Sequence, residues 1–153
     1  MPAAPEHTCA HHRIGKRLRA DLPAVSFFAY AARVRVLVVD DSLAFREATR
    51  DLIQRTAGFE WVGDAASGED GVEQAARLEP DLVLVDVRMP GIGGVEAARR
   101  ISAQVARSIV ILITGADPPT ELPSGAAAEI LPKHRLNAAS LRRLWQEHAR
   151  RES

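Results

Sequence analysis

Five side chains in this sequence could do chemistry together if they met: the carboxylates of Asp40, Asp41 and Asp86, the hydroxyl of Thr114 and the ammonium of Lys133. Each closes an apolar run. Asp40 and Asp41 follow Val36-Leu37-Val38-Val39, Asp86 follows Leu82-Val83-Leu84-Val85, Thr114 follows Ile109 to Ile113, and Lys133 follows Ile130-Leu131-Pro132. Three carboxylates brought within a few ångströms repel strongly at an intermediate dielectric, and a divalent cation removes that cost. Oxygen-only donors from a few protein groups, with room left for water and phosphate, suit Mg²⁺. With the charge balanced, one carboxylate can attack a phosphoryl group and become an aspartyl phosphate. Lys133 would pair with the phosphoryl oxygens and Thr114 would donate a hydrogen bond to them.

Taken one at a time, these residues have plainer readings. Asp40 or Asp41 can cap a helix, Thr114 can end a strand, and Lys133 can be a solvated surface lysine. Asp86 resists such a reading, because a carboxylate placed after four apolar residues and before Met89-Pro90-Gly91 needs a partner.

The elements that must carry these groups are legible from pattern. Short continuous apolar runs bounded by turn residues read as parallel strands covered on both faces. They fall at Val34–Val39, Trp61–Ala66 (weaker), Leu82–Asp86, Ile109–Ile113 and Ala127–Leu131. Between them, helical spacing recurs at Leu43, Phe45, Ala48, Leu52 and Ile53, then at Val72, Ala75, Ala76 and Leu78, then at Val95, Ala98 and Ile101; Leu141, Leu144, Trp145 and His148 mark a last helix. Ser42 or Asp41 is available to cap the first helix, and Ser67-Gly68-Glu69-Asp70 is a capping box opening the second. Strands alternating with helices predict a parallel sheet with right-handed crossovers. Ligands collect at the carboxyl ends of such strands, which is where all five polar groups fall.

From Val34 to about Arg150 the chain resembles the receiver domain of two-component response regulators. The motifs are VLVVDDS, LVLVDVRMPGIGGVE, ILITG and LPK, in that order. The resemblance implies an α/β, flavodoxin-like (βα)₅ doubly wound sheet in strand order 2-1-3-4-5. It implies Asp86 as phosphoacceptor, Asp40, Asp41 and Asp86 as Mg²⁺ carboxylates with the Arg88 backbone carbonyl as a further ligand, Thr114 as the switch hydroxyl and Lys133 as the phosphate partner. The phosphoryl donor it implies is a histidine kinase or a histidine phosphotransfer protein, and the output is a change in binding to a downstream protein or to a second copy of the chain.

The departures from that pattern cluster between Thr114 and Lys133. Only 18 residues separate them, and Pro118, Pro119 and Pro123 are among these. Proline inside a helix costs about 3 kcal/mol, so the fourth helix of the family is predicted to be shortened or missing, at most a turn or two with Asp117 as cap and Pro118 at the first position. Three residues before Lys133, where receivers often carry a switch aromatic, stands Ile130. His134 rather than proline follows Lys133, which disfavours a cis bond there.

The remainder sets bounds. The chain has 153 residues, 46% hydrophobic and 26% charged, which fits one globular domain. Twenty basic and twenty acidic residues cancel, so no global field points to nucleic acid or an anionic membrane. No apolar run is long enough to span a bilayer. The single Cys9 excludes an internal disulfide and fits a reducing compartment, predicting a cytoplasmic protein. Residues 1–33 read as a loosely ordered extension before a domain at 34–150. Its stretch Leu22–Ala32 has the make-up of a secretory signal, spoiled by Asp21 and Pro23, or of an apolar patch that packs on a surface. His7, Cys9, His11 and His12 match no zinc spacing.

Three function classes follow. The favoured one is a phosphorylatable signalling module that is not an enzyme, standing alone or cut from a longer regulator. The second is a receiver-like interaction module that works without phosphate because the Thr114–Lys133 segment is remodelled. The third is an enzyme, and it fits poorly: an aspartate-nucleophile phosphatase needs an acid two residues after the nucleophile, where Arg88 stands, and a flavin protein needs a phosphate loop where the acidic Asp40-Asp41 stands.

Overall fold

The computed structural model describes residues 33–115, 122 and 124–151. The expectations placed on residues 1–32 and on Asp117, Pro118, Pro119 and Pro123 lie outside these. The compact unit that carries the five polar groups begins at Val34. Its elements run β1 (Val34–Val39), α1 (Leu43–Arg55), β2 (Phe59–Ala65), α2 (Gly68–Leu78), β3 (Leu82–Asp86), α3 (Gly93–Gln104), β4 (Ile109–Thr114), β5 (Glu129–Pro132), a 3₁₀ turn (Lys133–Arg135) and α4 (Ala138–Arg151). The five strands pair in parallel in the order β2-β1-β3-β4-β5, the predicted flavodoxin-like order.

Alternation along the strands divides the core in two. Val34, Val36, Val38, Leu82, Leu84, Ile109, Ile111 and Ile113 pack with Ile53 of α1 and with Leu141 and Leu144 of α4. Leu37, Val39, Val83, Val85, Val110 and Leu112 face the other way, against Ala75 of α2 and Ala97, Ala98 and Ile101 of α3. Every residue of β3 and β4 is therefore buried, which is why these strands read as unbroken apolar runs. Each buried Leu, Ile or Val stabilises the sheet by roughly 1.5–3 kcal/mol.

The helix starts follow local chemistry. Ser42 Oγ accepts from the Phe45 N–H at 3.2 Å and Ser67 Oγ from the Asp70 N–H at 3.1 Å. At α4, Asn137 Oδ1 accepts from the Ser140 N–H at 2.9 Å while Ser140 Oγ accepts from the Asn137 N–H at 2.8 Å, a reciprocal cap.

The two edge strands differ most from the sequence reading. β2 begins at Phe59 rather than Trp61, because the ladder to β1 already starts at the Val34–Phe59 pair. β5 runs Glu129–Pro132 rather than Ala127–Leu131; its ladder to β4 begins at the Ile111–Glu129 pair, and an edge strand tolerates the terminal Pro132. Between β4 and β5 no described residue is helical: Ser124–Ala126 form a turn. The Lys133–His134 peptide is trans, there being no cis bond among the described residues. Nor is any helix among them long and apolar enough to cross a membrane.

Candidate functional site

Register alone gathers the site. β1 and β3 pair up to Val39 with Val85, so Asp40 and Asp86 are the next residues on adjacent strands. β3 and β4 pair Asp86 with Ile113, placing Thr114 one step on, and β4 and β5 pair Thr114 with Pro132, placing Lys133 next. Asp40 is completely buried, and Asp86 and Thr114 are 7% and 4% exposed. Asp41 and Arg88 are exposed, and Lys133 lies between.

The carboxylates of Asp40, Asp41 and Asp86 each offer an oxygen within 4.8 Å of the others. Lys133 Nζ stands 2.8 Å from Asp40 Oδ2 and 3.8 Å from Asp86 Oδ2. Its ammonium also lies over the Phe45 ring, 4.3 Å from the centroid. Asp86, Arg88, Gly115 and Lys133 line a cavity of about 270 Å³ at this edge. A larger hollow of about 590 Å³, beside Arg135, Ser140 and Arg143, has no carboxylate in its lining.

Burial is the main reason the Asp86 carboxyl is held above the usual carboxylate range, and repulsion from Asp40 reinforces it. The Lys133 ammonium and the Arg88 backbone N–H, which donates to Asp86, pull the other way. Asp41 adds a smaller push upward. Among the described residues, Lys133 is the cation paired with Asp40 and Asp86, so three clustered carboxylates face one ammonium.

Asp40 is the most constrained of the three. Its N–H donates to Ala65 O at 3.0 Å, its Oδ1 accepts from the Ser42 N–H at 2.7 Å, and its carbonyl accepts from Arg46 Nη1 at 2.7 Å. Its Oδ2 is buried and makes no hydrogen bond; the Lys133 ammonium sits close to it as an ion pair without hydrogen-bond geometry. A buried carboxylate oxygen left in that state, within an all-oxygen donor set, suits a hard divalent cation such as Mg²⁺. Asp40, Asp41 and Asp86 are the residues that would hold it, and Arg88 borders the same cavity.

The fold therefore brings together Asp40, Asp41, Asp86 and Lys133, with Thr114 buried at the adjoining strand end. Sequence reasoning missed three neighbours. By its spacing Phe45 is only a core position of α1, yet its ring faces Lys133. Arg46 was not singled out, although it lies four residues after the cap Ser42 and so one turn above the Asp40-Asp41 loop. Gly94 backs onto the site: a Cβ there would overlap the Asp86 carbonyl oxygen and stand 2.7 Å from its carbon. The adjoining pair Gly93-Gly94 at a helix start was the available signal. Ile130, in the place of an aromatic, is half-buried against the core on the α3 side of the sheet.

Comparison with known proteins agrees with this fold. Residues 36–133 match the family model described as the response regulator receiver domain. The chain is similar to the response regulator GacA of Pseudomonas viridiflava, 40% identical over 103 residues that cover 65% of this chain and 48% of GacA. It is also similar to protein-glutamate methylesterase/protein-glutamine glutaminase 1 of Geobacter sulfurreducens, 32% identical over 124 residues that cover 78% of this chain and 34% of that protein. The chain thus spans half or less of the length of these relatives. Among solved structures, the signal receiver domain of NarL from Mycobacterium tuberculosis superposes with a TM-score of 0.68 at 28% identity, covering 77% of this chain and 97% of that one. The response regulator domain of Thermotoga maritima CheB gives 0.60 at 28% identity, covering 78% and 92%.

Proposed function

The chain belongs to the response regulator receiver family, and from that membership we propose that it is the phosphoacceptor module of a two-component phosphorelay. It takes a phosphoryl group from a histidine kinase or histidine phosphotransfer protein onto Asp86, with Mg²⁺, and changes its binding to a downstream protein as a result. The observation that carries this reading is the setting of Asp86: a buried carboxylate ending the central strand, with two more carboxylates within 4.8 Å and an ammonium at 3.8 Å, on a cavity of about 270 Å³.

An Asp86 carboxylate oxygen attacks phosphorus; the P–N bond of the phosphohistidine breaks, and its electron pair leaves with the imidazole. With acetyl phosphate a P–O bond breaks and acetate leaves. Mg²⁺, when bound by Asp40, Asp41 and Asp86, supplies the charge neutralisation that lets an anionic phosphoryl group approach a carboxylate. The Lys133 ammonium pairs with the phosphoryl oxygens, and the Thr114 hydroxyl donates to one of them. The module modifies itself and turns over no substrate of its own, and it works in the cytoplasm.

Intact mass after incubation with acetyl phosphate tests the assignment. Wild type gains one phosphoryl group in Mg²⁺ and none in EDTA, and Asp86→Asn gains none. The same gain in Asp86→Asn would overturn it. A second reading, an interaction module independent of phosphate, draws on the absence of a helix among the described residues between β4 and β5. Equal partner binding by wild type and Asp86→Asn would favour it.

A further inference from the structure

We propose that Arg46 is a positioning residue that orients the peptide joining Asp40 to Asp41 and so sets the affinity of the acidic site for Mg²⁺. This rests on the phosphoacceptor reading and adds a residue to it. Arg46 sits in the first turns of α1, and its side chain is only 14% exposed. It turns back over the loop it follows: Nη1 donates to the Asp40 carbonyl at 2.7 Å, and Nε donates to Asp64 Oδ2, near the end of β2, at 3.2 Å. The Asp64 carboxylate holds one edge of the planar guanidinium, so the other edge meets the carbonyl at a fixed angle.

The carbonyl it holds matters because of where it lies. It belongs to the first peptide after β1, the one that links the two carboxylates, so its orientation fixes the direction in which Asp41 leaves the chain relative to Asp40. The Asp40 N–H and Oδ1 are already held by Ala65 and Ser42. Arg46 adds the constraint on the carbonyl side, leaving Oδ2 as the side-chain oxygen without a hydrogen bond. Asp41 is exposed and needs that constraint most, since solvent offers it other directions.

A guanidinium beside an acidic cluster could instead act by charge alone, and the two roles predict opposite signs. As a bare positive charge Arg46 would repel Mg²⁺, and removing it would tighten binding. As a positioning group it favours Mg²⁺, and removing it weakens binding. Outer groups that orient metal ligands typically alter affinity by about 10–100-fold when lost.

The test measures Mg²⁺ binding by titration calorimetry and the Mg²⁺ dependence of acetyl phosphate labelling, on wild type, Arg46→Met, Arg46→Lys and Asp64→Asn. Thermal melts in EDTA report folding. We expect Arg46→Met to raise the Mg²⁺ half-saturation about tenfold while labelling at saturating Mg²⁺ returns close to wild type. Arg46→Lys, which keeps the charge but loses the fork, recovers only part of the affinity. Asp64→Asn shifts it in the same direction by less. Tighter binding by Arg46→Met, or half-saturation equal to wild type in it, overturns the proposal. Should Arg46→Met not fold, unchanged half-saturation in folded Arg46→Lys and Asp64→Asn does so. If wild type binds no Mg²⁺ and takes no phosphoryl group, the phosphoacceptor reading itself has failed, and this proposal falls with it.

Discussion

Asp86→Asn should stabilise the protein when no divalent cation is present, although it alters a buried residue at the end of the central strand. Asparagine keeps the shape of the side chain and removes one negative charge. In wild type that charge faces Asp40 and Asp41 with oxygens within 4.8 Å, and Lys133 at 3.8 Å. At an effective dielectric near 20, each like-charged pair at that limit costs about 3 kcal/mol and the Lys133 pair returns about 4 kcal/mol. The exposed Asp41 contributes well under its full figure because water and salt screen it. Burial of the Asp86 carboxylate, the largest cause of its raised pKa, tips the balance against the charge. The sum is about 1–2 kcal/mol of strain relieved by the substitution, which for a domain of this size raises the melting temperature by about 3–8 °C. Lys133 keeps its ion pair with Asp40 in the variant. The assay is a thermal melt followed by circular dichroism at neutral pH, in EDTA and then in Mg²⁺. Because a cation that binds only the folded state stabilises it by mass action, Mg²⁺ should raise wild type more than Asp86→Asn and narrow the gap. A variant that melts at or below wild type in EDTA would refute the idea that the three carboxylates are held together against repulsion.

Two further outcomes follow from particular contacts. Gly94→Ala should cost about 2–3 kcal/mol in urea denaturation, since its Cβ meets the backbone of Asp86 and Val87, which cannot rotate away; Gly93→Ala, with φ of +80° but nothing within 4 Å, should cost only about 1 kcal/mol, and the reverse order would contradict the packing described. Glu129 is held below the usual carboxylate range chiefly by the hydrogen bond from Arg143, with His148 assisting. Its contribution is therefore present above the ordinary carboxylate pKa and is lost as pH falls through the depressed folded value. Stability measured against pH should show Glu129→Gln below wild type at neutral pH and the two curves converging in acid; parallel curves throughout would exclude the linkage.

Much of the fold could be read locally. β3 and β4 are continuous Val, Leu and Ile runs up to Asp86 and Thr114, and β1 is one from Val36 to Val39, because both faces are covered there; the ends of all three match the sequence reading to within a residue. Ser42 and Ser67 announce their helices because a cap is satisfied within three residues. The edge strands were less legible: β2 and β5 are bounded by where their neighbours offer hydrogen bonds, and nothing in Phe59 or Glu129 states that. The 3₁₀ turn at Lys133–Arg135, unforeseen, carries the chain from β5 toward α4.

For the site, the sequence by itself determined which polar groups end buried strands, because an apolar run and the residue that stops it are neighbours in the chain. It could not determine which partner each group takes. That Lys133 sits closer to Asp40 than to Asp86, that Phe45 faces its ammonium, that Arg46 grips the Asp40 carbonyl and that Gly94 leaves room behind Asp86 are decided by strand register and helix docking. The Lys133 contacts with Asp40, Asp86 and Phe45 join residues far apart along the chain, while Arg46 and Gly94 lie close in sequence to their partners but meet them only through the way α1 and α3 dock over the strand ends; the packed sheet, which sets every crossover at once, fixes both.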